Sequence, residues 1–368
     1  MENAVNMPAA RAALKAPSPA AETAETAKPA ARTGRKAAEA KRRAHRRAGG
    51  PISARFLAIA AAAAALALLA LDPPRYAAAC AEGIALWAEA VLPALFPYFV
   101  LTGALTRLGA AGAAGRLFSA PMRALRLPPA AAYCFAVSAL SGYPAGSRTA
   151  ADLAAGGALP RGALRTAALC STAGPMFLLG TVGGAMFRDP AAGAVLLASH
   201  LAGVILVILV TAKRAKPAPA ALAPAAARAD GVLQESVHAA VVSVLCVGGA
   251  IAFFSVLCEA LSAAGLLRLF SLLPAAALRP AGAQELAEGF VCGLVEATRG
   301  CAMLAGKGGP LALPLCAFLV TFGGACILAQ QLGYLRTAGV RALPFLACKA
   351  VQGAAAFLIC LALSALFL

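Results

Sequence analysis

The hydrophobic part of this chain is written twice, about 150 residues apart, and the two copies share unusual residues inside apolar runs. Arg116-Leu117-Phe118-Ser119 returns as Arg268-Leu269-Phe270-Ser271. Gly142, Arg148 and Leu153 stand at the same mutual spacing as Gly293, Arg299 and Leu304, and Gly174 and Leu178 match Gly324 and Leu328. A duplicated membrane unit with glycine interruptions in matching places predicts a transporter-like core, with its site where the copies meet.

With 61% hydrophobic and 13% charged residues and a mean hydropathy of +0.80, 368 residues cannot hide their apolar side chains from water, so lipid must be the solvent for most of them. The net charge of +17 invites a nucleic-acid reading. Twelve of the thirty-two Lys and Arg, however, lie in the first fifty-five residues, and most others sit between apolar runs. That distribution suits topology and lipid headgroups as partners, and no nucleic acid. The eleven cysteines fall within or beside apolar stretches and read as small buried hydrophobes; His45, His200 and His238 are scattered. Neither a metal nor another cofactor is expected.

Residues 1–50 hold almost no large apolar side chain and predict a disordered basic tail on the cytoplasmic side, ending in Lys41 to Arg47. Residues 51–72 predict a first transmembrane helix. A first membrane repeat then spans 80–212, a cytoplasmic linker 213–231 and a second repeat 232–368. Each repeat contributes a long helix, a glycine-broken segment, a segment with an internal Gly or Pro, and a plain final helix. Charge counting decides the topology. If the second segment of each copy dips in and returns, Arg107, Arg116, Arg123, Arg126, Arg161, Arg165, Lys213, Arg214, Lys216, Arg228, Arg336 and Arg341 all fall inside, leaving Arg75, Arg188, Arg268, Arg279 and Lys307 outside. Three crossings per copy is an odd number, so the second copy is inverted. The fold class is therefore all-α: a polytopic helical membrane protein of two inverted repeats, each with a re-entrant or broken helix.

The densest polar string is Ser141-Gly142-Tyr143-Pro144-Ala145-Gly146-Ser147-Arg148-Thr149, with Asp152 one turn on. Pro144 and the glycines predict a helix break whose restarted helix aims its positive end at an anionic or dipolar guest; alternatively Arg148 and Asp152 neutralise each other across a structural kink. In the second copy Glu296, Thr298 and Arg299 follow Gly293. Glu296 is the first choice for proton or cation coupling, with a static Glu296–Arg299 pair pinning the segment as the rival reading. The third segments offer Ser171, Thr172 and Gly174, then Gly323 and Gly324 followed by Gln330 and Gln331, suited to hydrogen-bonding a polar guest. Gly300 to Lys307 approaches a phosphate-binding loop, but its spacing is one residue too long and Gly308 replaces the hydroxyl. No constellation for an enzyme is present.

Leu95-Phe96-Pro97-Tyr98-Phe99, Ser141-Gly142-Tyr143-Pro144-Ala145-Gly146, Gly174-Pro175-Met176-Phe177, Gly293-Leu294-Val295-Glu296-Ala297-Thr298 and Phe322-Gly323-Gly324 with Leu328-Ala329-Gln330 carry a family resemblance over roughly residues 80 to 368. In these the chain resembles bacterial nucleoside-recognition, or Gate, domain membrane proteins, and among them the family of the sporulation integral membrane protein YlbJ. The resemblance implies inverted repeats with two re-entrant hairpins and a role in making the endospore, particularly its cortex. Neither broken segment carries the Gln-Thr-Glu type core of true nucleoside transporters. The expectation is a secondary transporter or permease for a small polar solute in the cell membrane. The alternative is a non-transporting morphogenetic or assembly protein. Self-association as a homo-oligomer is left open.

Overall fold

The structure, a computed structural model, describes residues 52–215, 231–278 and 283–368. The expectations for the tail 1–50, for most of the linker and for Arg279 lie outside these residues. Ile52–Leu71 is one continuous apolar helix (α1) and forms a unit by itself; at 1.5 Å per residue it is about 30 Å long, the thickness of a bilayer core.

The remainder repeats one plan twice, with no strand among the described residues. Repeat 1 opens with the long helix Pro73–Arg107 (α2), followed by the short helices Ala110–Leu117 (α3) and Ser119–Ala124 (α4). Ala131–Ser141 (α5) and Tyr143–Ala155 (α6) come next, then Leu164–Leu169 (α7), Met176–Met186 (labelled α8, though it winds with π geometry throughout) and Pro190–Ala212 (α9). Repeat 2 runs Val232–Ala263 (α10), Leu266–Leu278 (α11), Ala283–Val295 (α12), Ala297–Lys307 (α13), Ala312–Phe322 (α14), Gly324–Leu335 (α15) and Ala342–Phe367 (α16).

Local chemistry sets these boundaries. Asp72 before Pro73 and Asp189 before Pro190 cap their helices, accepting the amides of Arg75 at 3.3 Å and Ala191 at 2.8 Å. Within α2 the turn Trp87–Val91 widens to π geometry just before Pro93, whose missing amide cannot close an ordinary helical ring.

Equivalent helices of the two repeats pack antiparallel, as inversion requires. A Cβ on Gly83 would meet Ser255 and one on Gly103 would meet Ser236, so α2 and α10 run in opposite directions. Likewise Gly203 of α9 abuts Ala356 of α16, while further along α9 Val204 and Ile208 share a cluster with Phe345. Exposed Leu206, Leu209 and Val210 of α9 and Phe253 of α10 face outward, the surface a lipid solvent would cover.

The loops predicted to share the basic face do meet. Arg126 donates to the Ala215 carbonyl at 2.6 Å, Arg165 to that of Leu125 at 2.8 Å, and Arg161 to that of Thr337 at 2.9 Å. Segment 131–155 therefore enters and leaves on one side, and Lys307 pairs with Glu285 at 3.4 Å across 283–307, so both are hairpins.

Candidate functional site

The two hairpins turn by different means. In the first, α5 ends at Ser141 and the chain reverses at Gly142, whose φ of +90° favours glycine. Pro144 then sits in the first turn of α6, where no amide is needed. Gly146 lies so close to the Ser138 side chain and the Cys170 carbonyl that a Cβ would overlap both. In the second hairpin Glu296 adopts extended backbone, and its carboxylate accepts the amides of Thr298 at 3.2 Å and Arg299 at 2.6 Å. The second tip thus falls three residues beyond Gly293. Gly293 is instead the close-packing position across the hairpin from Gly300. The matched spacings of the sequence pair a turn glycine with a packing glycine.

Each tip rests on the broken helix of its own repeat. A Cβ on Gly174, in the non-helical stretch between α7 and α8, would come within 3.1 Å of the Leu140 carbonyl and 3.5 Å of the Gly142 nitrogen. A Cβ on Gly324, with φ +61°, would come within 2.7 Å of the Gly293 carbonyl and 3.4 Å of the Ala297 nitrogen. Between the two tips lies a cavity of ≈ 60 Å³. Repeat 1 lines it with Gly142, Tyr143, Pro144 and Gly174, repeat 2 with Glu296, Thr298 and Gln330, and the long helices with Leu95, Val247 and Ile251. These are the two interruptions of each repeat, brought to one place.

A second, larger cavity of ≈ 290 Å³ opens between α2, α6 and α10. Arg107, Thr102, Thr106, Arg148, Asp152 and Ser243 line it, and Pro144 borders both cavities. Arg148 donates to the Ser243 hydroxyl at 2.7 Å, while Asp152 stands 3.9 Å away, a loose contact. At the other end of α10, Glu259 holds both Arg75 at 2.8 Å and Arg299 at 3.0 Å. The two matched arginines therefore diverge: their anchors Ser243 and Ser255 are twelve residues apart on α10, about 18 Å. A side-chain pair between Glu296 and Arg299 does not form, because the carboxylate is engaged by backbone amides and the guanidinium by Glu259.

The other expected site residues lie away from the central cavity. Ser141 bonds Thr102 at 3.2 Å. Thr172 donates to Ser138 at 2.9 Å, and Ser171 and Ser147 both donate to the side-chain oxygen of Gln331. Gly323, with φ +103°, turns the chain between α14 and α15. Gln331, completely buried, joins the repeats, whereas its neighbour Gln330 faces the cavity.

Sequence reasoning missed three further buried groups at this seam. His200 of α9 accepts the Ala173 amide at Nε2, 2.9 Å, and pairs with Thr321 through Nδ1 at 2.9 Å. Since Nε2 accepts, the ring proton lies on Nδ1 and is donated to Thr321. Lys349 of α16 donates to the Ser171 carbonyl at 2.6 Å, and Gln352 to that of Ala168 at 3.2 Å. A lysine and a glutamine three apart on one face of an apolar helix were the available sign.

No known family model matches the sequence and no solved structure matches it. The chain is 27% identical over 301 residues to the sporulation integral membrane protein YlbJ of Bacillus subtilis (strain 168), covering 74% of this chain and 73% of that relative. The chain is thus an integral membrane protein homologous to one of sporulation.

Proposed function

We propose that this chain is a Gate-type secondary transporter that moves a small polar solute between its inverted repeats in the service of endospore formation, particularly of the cortex. One observation carries the reading: both hairpin tips and both broken helices converge on a single cavity. Backbone outside regular helix is tolerated at membrane depth only where protein or a cavity surrounds it, and such places hold the solute in transporters built from repeats. Glu296 and Thr298 supply polar groups on one side, Gly142 and Gly174 approachable backbone on the other. The larger cavity beside Arg148 is the entry from the basic face, which positive-inside insertion assigns to the cytoplasm together with the N-terminal tail. Lipid headgroups are the partners of the basic loops.

The experiment is a flux screen in phosphatidylethanolamine–phosphatidylglycerol vesicles, offering amino acids, sugars and nucleosides to the wild type, Glu296→Gln and Arg148→Ala. Faster uptake of one solute class by the wild type alone supports transport. The same leak in all three ends it.

The volume of ≈ 60 Å³ supports a second reading, because at the ~10–15 Å³ of probe space that one water needs it holds only a few waters. On that reading the fold survives as a morphogenetic or assembly protein without a solute. Restored sporulation of a strain lacking YlbJ by the Glu296→Gln, Arg148→Ala double variant would favour it.

A further inference from the structure

Lys349 is completely buried within a helix, Ala342–Phe367, that carries no acidic residue. The elements packed against it carry none either: α7, α9 and α14 contribute only Arg165, His200 and Cys316 as titratable groups, and α16 itself adds Cys348 and Cys360. Cys170 follows α7, and Tyr143 reaches over from the first hairpin, its ring 5.9 Å from Nζ. His200 is held neutral by its two hydrogen bonds, and Arg165 is occupied by carbonyls at the basic face. Among the described residues no carboxylate lies within ion-pair distance of Lys349.

What Nζ does touch is the interrupted backbone. It donates to the carbonyl of Ser171, inside the non-helical stretch that follows α7 and precedes α8. Carbonyls freed at the end of a half-helix are the groups that hold a coupling cation in transporters of this architecture. The surroundings are also incompletely bonded: the Tyr143 hydroxyl and the Gln352 side-chain oxygen are buried without partners. Uncompensated ionisable groups at such depth are expensive and are kept for ion or proton pathways.

We propose that Lys349 is a proton-binding site that sets the position of the 170–175 break. With the amine neutral, its bond to Ser171 closes the break against α16. A proton arriving on it places a charge in a dry site without a carboxylate, and the charge is relieved when the break moves into water. Tyr143 lines the central cavity and packs over Nζ, so the movement is felt there. The proposal concerns the break itself and stands whether or not a solute crosses.

The test is hydrogen exchange of peptides covering 164–175, read by mass spectrometry on the full chain in nanodiscs from acidic to alkaline pH and corrected for intrinsic exchange. In the wild type, the opening constant should rise as pH falls, with a slope of up to about tenfold per pH unit, the limit for one linked proton. In Lys349→Met, which lacks both the titrating amine and its bond to Ser171, the slope should vanish. In Lys349→Arg it should vanish with the break open, and this variant decides the matter if the methionine form does not fold. A flat wild-type profile, or a wild-type slope surviving in either variant, overturns the proposal.

Discussion

The Ser171 hydroxyl of the first repeat donates to the side-chain oxygen of Gln331 in the second, and Ser147 donates to the same atom from 3.2 Å. All three residues are completely buried, so one amide oxygen serves two hydroxyls from the other half of the molecule. Gln331→Leu leaves both without an acceptor, at about 1–3 kcal/mol for each buried group left unpaired. We expect a clear drop in the midpoint of thermal unfolding in detergent. Gln330→Leu, one residue away but facing the cavity, should leave the midpoint nearly unchanged.

Gly300 and Gly306 share α13 and predict opposite outcomes. A Cβ on Gly300 would collide with the Gly293 backbone across the second hairpin, whereas one on Gly306 meets nothing within 4 Å. Gly300→Ala must spread the hairpin, costing about 1–3 kcal/mol as overpacking does. Gly306→Ala gains up to ~1 kcal/mol of helix propensity where its side chain is free. Thermal unfolding of the two variants side by side checks both signs.

The plan of repeats and hairpins was legible because glycines, prolines and charges interrupt otherwise uniform apolar runs, and because arginines report the side on which each loop lies. Spacing alone could not distinguish Gly142, a turn with positive φ, from Gly293, a packing surface, since both needs select glycine. Nor could it rank Gln330 against Gln331: adjacent residues on a helix point about 100° apart, and only the partner helices decide which faces the cavity. His200, Lys349 and Gln352 stayed hidden for a related reason. Each is an isolated polar residue in an apolar helix, and the atoms it serves lie 27 residues away for His200, 178 for Lys349 and 184 for Gln352.

Glu296 caps α13 through two backbone amides, so its structural duty is separable from its charge. Glu296→Ala removes the cap and should cost about 0.5–2 kcal/mol. Glu296→Gln keeps one accepting oxygen and should lose less. If the carboxylate also handles a solute or ion in the central cavity, Glu296→Gln should unfold near the wild-type temperature yet lose uptake in vesicles. Unfolding temperatures equal to the wild type for both the glutamine and alanine forms would mean that the cap contributes nothing.

Arg75 and Arg299 converge on the single carboxylate of Glu259, whereas nearer the start of α10 Arg148 touches Ser243 and only loosely Asp152, beside the larger cavity. The three-residue cluster thus lies toward the end of α10 away from that cavity. It ties α2 to α10 and to the second hairpin. Glu259→Gln removes the shared anion and leaves two guanidinium groups facing each other, a repulsion that water entry relieves. Cys258 and Cys292 lie beneath this cluster, 1% and 0% exposed, and serve as native reporters. In Glu259→Gln their maleimide modification, located by mass spectrometry, should accelerate severalfold, while Cys134 and Cys170, buried in the apolar cluster that contains Phe345, should keep their wild-type rates. Salt should narrow the difference between variant and wild type, because ions screen both the attraction in one and the repulsion in the other.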